Sequence, residues 1–179
     1  MKTKRIYYSI LFVCSILFSA WSCEKDNEPQ LPLITQTGKD TFGCLINGEI
    51  WLPKAYDLFP VKYIVLERVN DQRVWHIGVR QGAASNFYFS INEDSLKEGK
   101  INIPVDESND IGIYHASQRF DNSSFRWNYN LPGELIITRL DTVNKVISGT
   151  FWFDLINSNY KKIEIRDGRF DLIIDQIQQ

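Results

Sequence analysis

The sequence is poor in the residues that make covalent or metal chemistry easy. Of its three cysteines, Cys14 and Cys23 lie in the N-terminal stretch and only Cys44 lies beyond it. With one thiol left in the body of the chain, no intramolecular disulfide can form. The fold must then be held by apolar burial, which the aromatic-rich composition permits. Cys44 falls in an apolar strand pattern and reads as an inert core thiol. Histidine is equally scarce. His76 and His115 are the two histidines, and they lack the His/Cys spacing of a zinc site, so both read as ordinary strand residues. Asp106 to Asp110 offers oxygen ligands but not the spacing or the glycine of an EF-hand, and reads as a solvated acidic loop. No metal and no cofactor are expected.

Three longer patterns are also missing. There is no Lys/Arg cluster, which excludes nucleic acid, because a phosphate backbone requires a basic footprint. There is no G-x-S-x-G nucleophile elbow. After the N-terminal segment no stretch without charge approaches the roughly 20 residues of a spanning helix. Helix-length periodicity is absent too, as is any internal repeat beyond generic hairpins.

What the N-terminus does contain is ordered. Lys2, Lys4 and Arg5 form a basic start, Ile6 to Ala20 carries no charge, and Ala20-Trp21-Ser22-Cys23 follows. Basic, apolar and small residues in that order form a secretory signal. The segment resembles a bacterial lipoprotein signal, in which cleavage leaves a cysteine that is then acylated. That resemblance makes residues 1–22 the signal peptide and Cys23 the lipidation site. Each buried methylene contributes roughly 0.8 kcal/mol, so several acyl chains, palmitate among them, would hold the protein durably. The cluster Glu24-Lys25-Asp26-Asn27-Glu28 resembles the export signal by which Bacteroidota lipoproteins reach the cell-surface face of the outer membrane. Loss of the leader removes three basic residues and no acid, so the mature chain is more acidic than the formal net charge of −2.

Residues 23–40 are polar, carry Pro29 and Pro32, and read as a flexible tether. Residues 41–179 read as one β domain of about 140 residues, the commonest domain size. Asn47-Gly48 between apolar runs is a type I′ hairpin signal. Strands are expected over 61–69, 73–80, 87–91, 100–103 and 111–115, with a helical turn over 93–99 that Gly99 ends. A weak alternation runs over 118–129. The C-terminal pattern is clearest. Ile147, Gly149, Phe151, Phe153 and Leu155 share one face of a strand, and Ser148, Thr150, Trp152 and Asp154 share the other. Asp167-Gly168 reads as a second hairpin turn between 161–166 and 169–174. About nine or ten strands at this spacing indicate an all-β fold: a single antiparallel β-sandwich first, an up-and-down, calycin-like barrel second.

Three segments carry a wider likeness: Thr41 to Trp51 (TFGCLINGEIW), Ile147 to Phe153 (ISGTFWF) and Asp167 to Asp171 (DGRFD). They resemble a group of uncharacterised Bacteroidota lipoproteins, a domain of unknown function. The matching residues belong to hairpins and strands, so the resemblance implies a location and a fold and no reaction.

Candidate chemistry is therefore sparse. Trp51, Trp75, Trp127 and Trp152 survive processing, and flat aromatic faces suit sugar stacking. Trp152 falls opposite the Phe151/Phe153 core face, and Phe125, Trp127 and Tyr129 form a one-sided row, so Trp127 and Trp152 are the candidate ligand-binding aromatics. Asp94-Ser95-Leu96 and Asp141-Thr142-Val143 resemble the Bacteroidota O-glycosylation pattern and fall in expected turns, making Ser95 and Thr142 candidate acceptors. The expectation is a non-enzymatic binding or structural module for a glycan or protein partner, lipid-anchored at the outer membrane on its periplasmic or cell-surface face. The alternative is a small hydrolase acting on polysaccharide or peptidoglycan, which needs a cleft with two carboxyls in different environments.

Overall fold

A computed structural model describes residues 29–54, 61–69, 72–82, 85–101, 111–117, 123–126 and 131–177. Within them the chain is almost entirely strand. β1 (Thr41–Ile46) and β2 (Glu49–Trp51) form the first hairpin. β3 (Lys62–Val69), β4 (Gln72–Gln81) and β5 (Ser85–Asn92) form a meander. Then come β6 (Gly99–Ile101), β7 (Ile111–Ser117), β8 (Ser123–Arg126), β9 (Gly133–Asp141), β10 (Val146–Ile156), β11 (Lys162–Ile173) and β12 (Gln176–Ile177). The Asn47-Gly48 turn is present as expected, with φ of 51° and 84°, the positive values that a type I′ turn requires. The helical turn is shorter than expected, a 3₁₀ turn over Glu93–Ser95. Gly99 does not end it but opens β6.

Hydrogen bonds run in the order β12-β3-β4-β5-β7-β8-β10-β11-β1-β2, with β9 on β10 and β6 on β9. The path does not return to its start, so the sheets form a sandwich and not a closed barrel. Among the described residues the named strands pair antiparallel except β12 with β3, and Lys54 makes an isolated parallel bridge to Gln81. The layer β3-β4-β5-β7-β8 faces the layer β9-β10-β11-β1, and Ile156 opposite Arg126 is the corner joining them. Alternation explains the core. Ile64 and Leu66 on β3, Trp75, Ile77 and Val79 on β4, and Phe87, Phe89 and Ile91 on β5 are buried on one face. They meet Phe42 from β1 and Phe151 and Phe153 from β10, with ring centroids 5.8 Å apart for Phe42–Phe87 and 5.2 Å for Phe89–Phe151. Cys44 is fully buried, and burial pushes its thiol pKa well above the ordinary value, which keeps it un-ionised and unreactive.

Asp167-Gly168 is not a hairpin turn. β11 runs unbroken through it, and the pair is a β-bulge. Gly168 faces Phe151 and Ile165 faces Phe153, three residues spanning what β10 covers in two steps. The same slip occurs against β1, between Gly43 and Leu45. Asp167 takes a φ of 51°, the left-handed conformation that a bulge of this type needs.

Close packing over β10 leaves no room at Gly149, where a Cβ would meet the Ile136 carbonyl oxygen and lie 2.6 Å from the Phe170 ring. The backbone oxygen cannot give way. Gly149→Ala is therefore expected to destabilise the fold by about 2 kcal/mol, measurable as a lower midpoint in urea unfolding. An unchanged midpoint would show that the β9–β10 contact relaxes freely.

Candidate functional site

The outward residues of β3, β4 and β5 make a surface of a different character from the core behind it. With Ile64, Ile77 and Phe89 pointing inward, the pleat turns Tyr63, Glu67, His76, Gly78, Arg80, Asn86 and Tyr88 outward. The register places Tyr63 opposite Gly78 and Gly78 opposite Tyr88. Gly78 matters because it lacks a side chain. The Tyr63 ring occupies the space above it, so that a Cβ there would lie 2.5 Å from the Tyr63 hydroxyl and closer still to the ring. Tyr63 thus lies across the sheet instead of standing up from it. A cavity of about 210 Å³ opens beside it, lined by Tyr63, Gly78, Arg80, Asn86 and Tyr88.

A polar chain supports the far side of this cavity. The Tyr88 hydroxyl is hydrogen-bonded to His76 Nδ1, the two rings stack with centroids 5.4 Å apart, and Glu67 Oε1 lies 3.0 Å from His76 Nε2. Burial, then the neighbouring Tyr63 and Glu67, pushes Tyr88 up to about 12. Burial also raises Tyr63, against the pull of the Arg80 charge. Both phenols therefore stay protonated and can donate hydrogen bonds at neutral pH.

Trp152 lies where its alternation puts it, partly exposed on the outer face of β10. Its surroundings are already committed. The Arg166 guanidinium sits 5.5 Å from the indole centroid, a cation–π contact of about 0.5–1 kcal/mol at an exposed site. Glu134 is its cross-strand neighbour and is bound by Lys100 at 2.7 Å. Asp154, nearly buried, receives Arg166 Nη2 at 2.7 Å and Lys162 Nζ at 3.1 Å, and Glu164 closes the ladder against Lys162 at 3.2 Å. Burial alone would raise the Asp154 carboxyl, but the Arg166 and Lys162 bonds outweigh it and hold it below the ordinary range. Lys100 chiefly, with the Trp152 indole, lowers Glu134. These carboxyls are ion-pair partners that stay charged, whereas a glycosidase acid must hold its proton near neutrality.

A further carboxylate was not foreseen. Asp171 on β11 points away from the core yet is 1% exposed, because the segment 35–39 lies over it. Its oxygens accept from Thr35 Oγ1 at 2.6 Å, Thr37 N at 3.0 Å, Gly38 N at 2.8 Å and Lys39 N at 3.0 Å. Ser148 Oγ on β10 adds a bond at 2.7 Å. Burial acts to raise its pKa, and these donors reverse that and hold it well below the carboxylate range. Residues 35–39 belong by sequence to the 23–40 tether; here they are bonded to the sheet.

The remaining sequence candidates fall as follows. Trp127 and Cys23 lie outside the described residues, as does the 106–110 loop. Phe125, the first of the one-sided aromatic row, is fully buried, and Trp51 and Trp75 are core residues. Ser95 ends the 3₁₀ turn and is partly exposed. Thr142 is exposed in the β9–β10 turn, whose Asp141 accepts from the Asn144 backbone at 2.8 Å. His76 and His115 lie on opposite faces of one sheet, and among the described residues no three His, Cys, Asp or Glu side chains converge as a metal site. Trp152 does not line this cavity, which brings together Tyr63, Arg80, Asn86 and Tyr88, residues that the sequence reading did not single out. The signal that could have found them is Gly78, a glycine inside a strand pattern, which marks a close approach. No family model, curated protein or solved structure matches the chain.

Proposed function

We propose that this protein is an extracytoplasmic lipoprotein, anchored at the outer membrane through acylated Cys23, that presents a β-sandwich as a non-enzymatic binding module. The order of basic residues, apolar run and cysteine supports the anchor, and the resemblance of Glu24 to Glu28 to a Bacteroidota lipoprotein export signal supports its place. The Asp171 clamp sets the reach of that anchor. It fixes Thr35 to the sheet, so at most the stretch from Cys23 to Thr35 separates the lipid from the domain. At ~3.3–3.6 Å per extended residue that is about 40 Å. The module works beside the bilayer and not far out from it. A glycan or a protein is the partner, met by the outward polar and aromatic faces.

The test is fractionation of cells expressing the full chain. The wild type is expected in the membrane pellet after an alkaline carbonate wash and in the soluble phase after detergent. Cys23→Ser is expected to be soluble without detergent. A wild-type protein that washes off with carbonate, or a Cys23→Ser variant that stays with the membrane, contradicts the anchor.

A further inference from the structure

We infer that the cavity beside Tyr63 is a carbohydrate subsite: the ring of Tyr63 is the stacking surface for a pyranose, and Tyr88, Arg80 and Asn86 meet its hydroxyl groups. This rests on the binding-module reading and names its ligand class and its place.

The geometry selects the class. At about 210 Å³ the cavity is smaller than the roughly 300 Å³ at which sites for drug-sized ligands begin. It fits one small ring, with the rest of a chain lying outside along the open sheet face. The lining joins aromatic surface to phenol, guanidinium and amide groups, the mixture of faces that a sugar ring presents: apolar C–H on one side, hydroxyls around the edge. A phosphate or sulfate group fits poorly, since Arg80 is the one cation among the lining residues and the Glu67 carboxylate stands on the same face. An apolar ligand fits poorly as well, because it would cover the Tyr63 hydroxyl without offering it a hydrogen bond.

The floor is built for a flat ring. Gly78 lets Tyr63 lie down across the strands, and Tyr88 is held in place by its bond to and stacking on His76, so little side-chain freedom is lost on binding. Trp152, the more obvious sugar platform by residue type, has Arg166 over its ring and neighbours whose charges are paired to one another. A single ring on such a site binds weakly, with a Kd of about 0.1–1 mM. Many copies anchored in one membrane would convert this to durable retention of a polysaccharide by avidity.

The experiment uses the full lipid-bearing chain in detergent on an array of neutral and uronic-acid oligosaccharides, followed by calorimetric titration of the best-binding one. A signal is expected, with affinity falling at least tenfold in Tyr63→Ala. Asn86→Ala, which removes one polar contact and leaves the aromatic floor, is expected to weaken binding about threefold and guards against a Tyr63 variant that does not fold. Trp152→Ala is expected to leave affinity unchanged. The inference is overturned by an array without signal, or by binding that survives Tyr63→Ala and Asn86→Ala in folded protein. It is overturned equally by binding that disappears with Trp152→Ala, an outcome under which the anchored binding module itself still stands.

Discussion

Asp171→Ala is expected to lower the unfolding free energy by about 3–5 kcal/mol, the cost of breaking a buried charged network by removing one partner. The side chain is the common acceptor for the Thr35 and Ser148 hydroxyls and for the backbone N–H groups of Thr37, Gly38 and Lys39. Truncation leaves those donors beneath the covering segment with nothing to bond, and each lost bond to a charged acceptor is worth about 1.5–3 kcal/mol before relaxation. For a domain of this size the melting temperature should fall by about 10 °C. Asp171→Asn should recover only part of the loss, because its NH₂ group turns donor toward donor. Hydrogen exchange separates this from a general weakening: the amides of residues 37–39 should lose protection first. The pH dependence has a defined sign. The folded pKa lies below the unfolded one, so the carboxylate's contribution is complete above the ordinary aspartate value of about 3.9 and is lost as pH falls below it. A variant with the wild-type melting temperature would mean that the segment is held by something other than this carboxylate. The same contacts imply that a truncation starting at residue 41 removes the clamp and weakens the domain, whereas one starting at residue 29 keeps it.

The second large effect concerns His115. Its ring is fully buried, with its centroid 4.6 Å from Phe87 and 6.1 Å from Trp51. Among the described residues neither nitrogen has a hydrogen-bond partner. Burial lowers its pKa to about 4, and the Asn86 backbone opposes this in part without reaching hydrogen-bonding geometry. The unfolded chain, with an ordinary histidine near 6.5, therefore binds a proton between about pH 6.5 and 4 that the folded chain refuses. Stability falls with pH across that window, by about 3 kcal/mol in all. His115→Phe should abolish this slope and leave the protein more stable than wild type at pH 5, while the further loss below pH 4 that Asp171 contributes remains. A wild-type slope retained in His115→Phe would place the acid sensitivity elsewhere.

Much of the fold was legible because its strands alternate cleanly. Ile147 to Leu155 keeps one parity along β10, and every inward member of it is buried. The error at Asp167-Gly168 has a physical cause. Ile163 and Ile165 face inward at odd positions and Phe170, Leu172 and Ile174 at even ones. Such a change of parity arises either from a turn between two strands or from one extra residue within a single strand. Asp-Gly supplies the positive φ for both, and only the neighbouring strands, β1 and β10, decide between them. Asp171 was illegible for a related reason. Its parity is outward, and an outward aspartate reads as solvated; its burial comes from a segment 132–136 residues away in sequence. Trp152 was placed on the correct face, but sequence cannot show that Arg166 covers it. Tyr63 and Tyr88 went unnoticed because each is an unremarkable strand tyrosine until the register sets Gly78 between them.

The proposed place of this protein at a membrane rests on a covalent bond to Cys23 more than on any other feature. Metabolic labelling with radioactive palmitate, followed by isolation of the full chain, tests it directly. Label is expected in the wild-type protein and none in Cys23→Ser; an unlabelled wild type, or equal label in the two, would contradict acylation at Cys23.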